Sequence, residues 1–274
     1  MSDQAATDSE DLNRAEIDAA LTGSPFAGRM HWFRTIDSTN THALEEARLG
    51  APHGSFYVAD EQMAGRGRSD HSWHSGVGEG LYLSVLLRPD MAAADLVWLP
   101  LLTGLAVHRA IREVTALTTD LRWPNDVLIE SRKVAGILVE AQSESGRATA
   151  AVVGIGVNLH QRSFPAGLST PATSLDLESG RWVSRQQLLL AVLLALHDEL
   201  AVLDAARDRD AALAAIPGRI AEASTWVKGR RVNVHGPQPC SGVTEGLDAR
   251  GFLLVRTTDG VVTVMTGGIR KAID

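Results

Sequence analysis

Near Ala223 the chain changes rhythm, and that change constrains its fold more than any other feature. Downstream, residues 230–234, 241–247, 252–256 and 261–265 are short alternating apolar and polar runs, split by Gly236, Gly251 and Gly260. Short alternating strands divided by glycine predict a small all-β barrel. Upstream, from His31 to about Asp204, longer apolar runs of β character alternate with helical stripes. Candidate strands there are 31–35, 55–60, 81–87, 127–129, 133–141 and 149–158. Strands that come mostly in neighbouring pairs, with helices spaced between them, predict an α+β mixed sheet layered on helices rather than a doubly wound one. The expected organisation is therefore an N-terminal tail (1–28, partly disordered), a large domain (29–222) and a small β domain (223–274).

Three helices are legible in the large domain. The first starts at Ser38 or Thr39, either of which can cap it, and stops at Gly50, which suits the position after a helix end. A second covers about 101–117, with Val107, Ala110, Ile111 and Val114 on one apolar stripe. A third opens with Ser184-Arg-Gln-Gln187, a capping box, and carries the leucine-rich run 188–203. The acidic tail has room for one short helix, about 11–21.

With 45% hydrophobic and 22% charged residues, the chain can bury a substantial core. Its net charge of -7 is not the basic footprint of a nucleic-acid binder. The single cysteine, Cys240, excludes an intramolecular disulfide framework. Neither a basic-then-apolar leader nor an uninterrupted apolar run of membrane length stands out, so a cytoplasmic protein without membrane partners is expected.

The chemistry concentrates in Asp60-Glu-Gln-Met-Ala-Gly-Arg-Gly-Arg-Ser-Asp-His-Ser-Trp73. Gly65 and Gly67 let the backbone close around a ligand, and Arg66 and Arg68 offer planar donor forks for phosphate or carboxylate. Trp73 adds a flat face on which a base can stack. A solvated basic turn beside a core tryptophan fits this segment equally well when it stands alone. Three further segments stand in order around it: Asp37-Ser-Thr-Asn40, Arg122-Trp-Pro-Asn-Asp126 followed by Lys133-Val-Ala-Gly-Ile-Leu138, and Gly154-Ile-Gly-Val-Asn158.

Taken together these four resemble the hallmarks of the biotin protein ligases, over about residues 31–274. The resemblance implies a class II synthetase-like catalytic domain followed by an SH3-like barrel. It implies an enzyme that joins biotin to ATP as biotinyl-5'-AMP, with Mg2+, and transfers biotin to a lysine of a biotin carboxyl carrier protein or domain. Some family members carry an N-terminal winged helix that binds operator DNA. That module needs roughly twice the length available before His31, so the resemblance is to the ligase-only branch, a monomer or weak homodimer without a nucleic-acid partner.

Site roles follow by the same resemblance. Ser38, Thr39 and Asn40 match the positions that hold the biotin rings; Gln62, Gly65, Arg66, Gly67, Arg68 and the Gly136 backbone match further biotin contacts. Lys133 matches the lysine that bridges biotin's carboxylate and the α-phosphate. Trp73 matches the aromatic under adenine, and Arg66, Arg68, His71, Asn125 and Asn158 match positions near the nucleotide. Asp126 has two readings. It either prepares the acceptor lysine for attack or caps the turn after Pro124; the first predicts that Asp126→Asn spares adenylation, the second that both half-reactions fall together.

Blander readings compete. Ser38 and Thr39 serve equally as helix caps, and Lys133 as a strand-edge lysine. Trp123 reads as core. Gly154-x-Gly156 lacks the third glycine of a dinucleotide fingerprint and reads as a close backbone approach. The family's loop usually continues Arg-Gly-Arg after the second arginine; here stand Ser69, Asp70 and His71, which weakens the expected field on the phosphates. The segment 64–74, poor in apolar anchors, is expected to be mobile without ligand. The alternatives weighed are a lipoate ligase, whose Arg-Arg-x-Ser-Gly-Gly-Gly run is missing, a biotin-responsive repressor, and a non-catalytic binding module that leaves Arg66, Arg68 and Lys133 unexplained.

Overall fold

A computed structural model describes residues 12–68, 71–204 and 209–272. Seven strands form one mixed sheet in the order β1-β2-β3-β7-β6-β5-β4. They are β1 (Met30–Ile36), β2 (Phe56–Gln62), β3 (Gly80–Leu87), β4 (Asp120–Arg122), β5 (Asp126–Ile129), β6 (Arg132–Glu144) and β7 (Arg147–Asn158). Only β1 and β2 pair in parallel; every other neighbour is antiparallel.

Strand alternation sorts side chains onto two faces. Phe56, Val58, Val85, Leu87, Val153 and Ile155 join the main core, beneath helices α3 (Trp98–Thr115) and α5 (Arg185–Asp204). Tyr57, Leu86 and Val152 face the other way and pack with Ala43 and Ala47 of α2 (Thr39–Arg48). The sheet is thus covered on both sides, and α2 has the second layer largely to itself.

Each helix begins where its capping chemistry allows. Ser38 caps α2, and Gly50, with φ +90°, follows its end. Ser184 Oγ accepts from the Gln187 amide at the start of α5. Helix α3 starts three residues ahead of the expected Leu101, because Pro100 falls in the first turn, where its missing N–H has no partner to lose. Together with the 3-10 turn before it, Ala93–Thr115 has the length and composition of a membrane span, which the sequence reading passed over; 61% of that window is buried in the core. Several elements escaped the sequence reading, among them the short helix α4 (Leu175–Ser179) and the last C-terminal strand. Strand β4 is too short to show alternation, and α6 (Arg209–Glu222) contains Pro217 yet buries Ile216 and Ile220.

Residues 12–28, expected to be tail, contribute to the main core. Leu12, Ile17, Leu21 and Phe26 are each no more than 1% exposed. Asn13 caps the short helix α1 (Arg14–Ala20), and Gln186 of α5 hydrogen-bonds both the Asn13 amide and Glu16. Four apolar residues among many polar ones bury as a stripe, which average composition conceals. Residues 1–11 lie outside the described residues.

The C-terminal strands β8 (Lys228–His235), β9 (Cys240–Leu247), β10 (Leu253–Thr257), β11 (Gly260–Val264) and β12 (Gly268–Lys271) make the second, wholly antiparallel sheet, the SH3-like unit, in the order β11-β10-β9-β8-β12. It is fastened to the large domain. The Trp123 indole donates to Gly251 O at 3.2 Å, and Gly251 packs against the Trp98 ring.

Candidate functional site

Two adjoining recesses open beside β6 and β7. The narrower is lined by Ser38, Thr39, Asn40, Gln62, Arg66, Gly67, Arg68, Trp73, Asn125, Lys133 and Gly136, together with Tyr82 and Ser84. The wider, about 530 Å3, takes in Gly67, Arg68, His71, Trp73, Asn125, Asp126, Lys133 and Asn158, and reaches Arg270 of the C-terminal sheet. Of the described residues given a site role in the sequence, Gly65 alone lines neither. It sits behind the loop, where its carbonyl accepts from the Trp73 amide at 2.8 Å.

The narrow recess is a polar network under α2. Gln62 Oε1 accepts from the Thr39 amide at 2.9 Å and from Thr39 Oγ1 at 3.0 Å, while its amide nitrogen donates to Ser75 Oγ. Ser84 Oγ lies 2.8 Å from Thr39 Oγ1 and 2.9 Å from Asn40 Oδ1. Asn40 Nδ2 donates to Glu140 Oε2 at 2.7 Å. Ser38 both caps the helix and lines the recess. Capping a helix and lining the recess are therefore compatible at Ser38. The rows of β7 are shaped for these neighbours: a Cβ on Gly154 would stand 2.4 Å from Asn40 Oδ1, and one on Gly156 would stand 2.5 Å from the Trp73 ring. Gly136 meets the other side of that ring.

The segment carrying the two arginines forms a small hairpin. Gly67 donates to His71 O at 2.7 Å, and Arg66 bridges Ser72. Trp73 gives it the apolar anchor that the sequence reading missed, and the indole N–H is buried without an acceptor among the described residues. Arg66 turns to Glu140, whereas Arg68 reaches across to the C-terminal sheet. Arg68 donates to Gly267 O at 3.0 Å and to Asn125 Oδ1 at 3.2 Å. Burial pushes the Arg68 pKa down, against the pull of nearby Asp126. Ser69 and Asp70 lie outside the described residues; His71 Nδ1 is 2.9 Å from Arg68 O.

Where the recesses meet, Asp126 lies between two cations. Lys133 Nζ is 2.6 Å from its Oδ1 and Arg122 Nη2 is 2.6 Å from its Oδ2. Burial pushes the Asp126 carboxyl up, but Lys133 and Arg122, with their hydrogen bonds, outweigh it and hold the pKa below the ordinary aspartate value. Lys133 Nζ also lies 5.1 Å from the Trp73 ring centroid. Asn158 donates to Thr173 O at 2.9 Å and to Lys133 O at 3.4 Å, so it supports the strand rather than facing the cavity with its amide nitrogen. Trp123 is core, 4% exposed.

Sequence reasoning missed Ser84, Tyr82, Glu140 and Arg270. None falls in a motif of the resemblance; Ser84 alone had a visible signal, as a polar residue inside the otherwise apolar strand Leu81–Leu87 pattern of β3. Among the described residues lining the wider cavity, Asp126 is the single carboxylate, set against Arg68, Arg122, Lys133 and Arg270. A chain of net charge -7 thus places four of its 26 Lys and Arg residues around one cavity.

Comparison with known proteins adds the following. Residues 32–158 match the Biotin/lipoate A/B protein ligase family, and residues 228–270 match the Biotin protein ligase C terminal domain. The chain is 33% identical over 232 residues to a Biotin--[acetyl-CoA-carboxylase] ligase of Paracoccus denitrificans, covering 82% of this chain and 92% of that protein. It is 39% identical over 185 residues to the Bifunctional ligase/repressor BirA of Bacillus spizizenii, covering 67% of this chain and 57% of that protein's length. Its fold superposes with a TM-score of 0.75 on the biotin protein ligase of Aquifex aeolicus in complex with biotin and ATP, at 30% identity, over 89% of this chain and 100% of that one.

Proposed function

The chain belongs to the biotin protein ligases, and from that premise we propose that it activates biotin with ATP and transfers it to a lysine of a biotin carboxyl carrier protein or domain. The observation that carries this is the position of Lys133. It lines both recesses, beside the polar network on one side and the cation-rich cavity on the other. A vitamin ring seated against Ser38, Thr39, Asn40 and Gln62 directs its carboxylate toward Lys133 Nζ. A nucleotide in the wider cavity brings its α-phosphate to the same ammonium. The carboxylate oxygen attacks phosphorus, pyrophosphate leaves, and the acceptor amine then attacks the acyl carbon, releasing AMP.

Two anions must meet in the first step, so fixed positive charge at the contact is the main requirement. Lys133 and Arg68 supply it. Asn125 and Gly267 orient Arg68, Asp126 tethers Lys133, and Trp73 offers its face to the base. A carboxylate held ionised by two cations is a weak proton acceptor, so Asp126 serves the reaction by positioning Lys133 rather than as the acceptor lysine's base. Among the described residues no group of three or more His, Cys, Asp or Glu stands together as a metal site. Mg2+, where the nucleotide carries it, would be held by the phosphates and would offset their charge. Use of ATP and a carboxylase subunit is consistent with action in the cytoplasm.

ATP–pyrophosphate exchange with purified protein tests the reading. Exchange is expected with biotin and not with lipoate; exchange with lipoate alone would overturn it.

A further inference from the structure

Glu140 has no role in the motif-based picture, yet it is where the two halves of the site are tied together. It lies on β6 opposite Val152 of β7, on the face covered by α2, seven positions after Lys133 on the same strand. Its Oε2 accepts from Asn40 Nδ2 at 2.7 Å. The same carboxylate receives the fork of Arg66, Nη2 to Oε1 at 2.9 Å and Nη1 to Oε2 at 3.1 Å. Arg66 also reaches Thr41 Oγ1 on α2 at 3.5 Å. Asn40 is held from its other side by Ser84 Oγ, over the space left by Gly154.

We propose that Glu140 is a positioning residue that locks Arg66 of the glycine hairpin and Asn40 of the ring recess to strand β6, so that the vitamin recess and the nucleotide-gripping loop are held as one unit. The geometry makes the point twice. A two-pronged arginine–carboxylate pair fixes orientation as well as distance, and Arg66 so held turns away from the wider cavity, leaving Arg68 and Lys133 as the charges at the reacting centre. An asparagine amide has a limited number of bonds to make. With Nδ2 on Glu140 and Oδ1 on Ser84, Asn40 is set in one orientation before any ligand arrives. The ligand assignments rest on the function proposed above; the lock itself concerns the protein alone.

Two substitutions separate its arms. Glu140→Gln keeps an oxygen to accept from Asn40 but sets an amide N–H against the Arg66 guanidinium. Glu140→Ala removes both bonds. In amide exchange on the unliganded protein, both variants should open residues 64–68 about three- to tenfold faster than wild type, a modest factor because the ion pair is partly exposed. Biotin affinity by calorimetry should stay within about twofold in Glu140→Gln and weaken about tenfold in Glu140→Ala, where a charge-assisted bond to Asn40 is lost. Turnover in pyrophosphate exchange should fall in Glu140→Gln with the KM for biotin unchanged. Arg66→Ala should reproduce the faster loop exchange, and combining it with Glu140→Gln should add nothing. Wild-type loop exchange in Glu140→Gln, or losses that multiply in the double variant, would overturn the proposal. If wild-type protein binds no biotin, the functional reading fails, while the unliganded exchange comparison still decides whether Glu140 holds the loop.

Discussion

Lys133 and Asp126 lie at the junction of the two recesses, and the ion pair between them decides how each behaves. Removing the ammonium with Lys133→Ala takes away a donor placed where negative charge concentrates. Adenylate formation should slow by about 10²–10³-fold, the usual loss for one such group, in single-turnover measurements. Asp126→Asn should act differently from a lost general base. Because it frees Lys133 and strands Arg122, which is 8% exposed, adenylation and transfer should fall together, and raising the pH should not restore transfer. Removing one member of a buried charge cluster also costs stability, about 3 kcal/mol. The pH dependence has a definite sign. The Asp126 pKa is lower in the folded protein than its ordinary 3.8, so its contribution is complete above that value and disappears as pH falls through the folded pKa. The stability gap between wild type and Asp126→Asn, from urea unfolding, should be flat from neutral pH down to about pH 4 and close below it. A gap that widens on acidification would contradict the ion-pair geometry.

At the scale of elements, the glycine hairpin and the glycines of β6 and β7 were each visible in the sequence, but their mutual fit was not. Gly136 and Gly156 leave the space in which the Trp73 ring lies. Nothing along the chain joins a tryptophan at 73 to a glycine at 156; the antiparallel register of β6 on β7, with Gly136 opposite Gly156, does so. Gly156→Ala should therefore dislodge Trp73, since its Cβ would fall 2.5 Å from the ring. Protection of the Trp73 amide, bonded to Gly65 O, should drop in hydrogen exchange while the β3–β7 ladder keeps its own. Unchanged protection at Trp73 would show that the indole does not anchor the hairpin. Strand β12 illustrates the opposite case. Gly-Ile-Arg-Lys has almost no periodicity of its own, and it is a strand because β8 offers it a partner.

For the whole molecule, the core is continuous from the N-terminal helix to the C-terminal sheet. Leu12, Ile17, Trp98, Trp226 and Val255 all belong to one buried cluster. Ile17→Ala should then cost about 2–5 kcal/mol in urea unfolding, the range for a truncated core aliphatic, where a detached tail would give no change. The contact of Arg68 with Gly267 joins the large domain to the C-terminal unit at the site itself. Cations needed around the wider cavity thus come from the loop, from β6, from the Arg122 turn and from β12, although the chain as a whole is acidic.

The sequence by itself determined the α+β sheet, the following β unit, the caps of α2 and α5 and a set of residues that line the two recesses, because strand alternation, capping chemistry and ordered motifs are local properties of the chain. Only the tertiary structure decided what those residues face. Asp126 has two readings in the sequence, a carboxylate that prepares the acceptor amine or a cap of the turn after Pro124, and the fold sets it between two cations from β4 and β6. Arg66 and Arg68 read as a matched pair, yet Glu140 holds one and the C-terminal sheet the other. Such assignments depend on the pairing of strands distant in sequence, and the physical reason they stay hidden is that charge and space at a site are sums over neighbours, which the order of residues does not list.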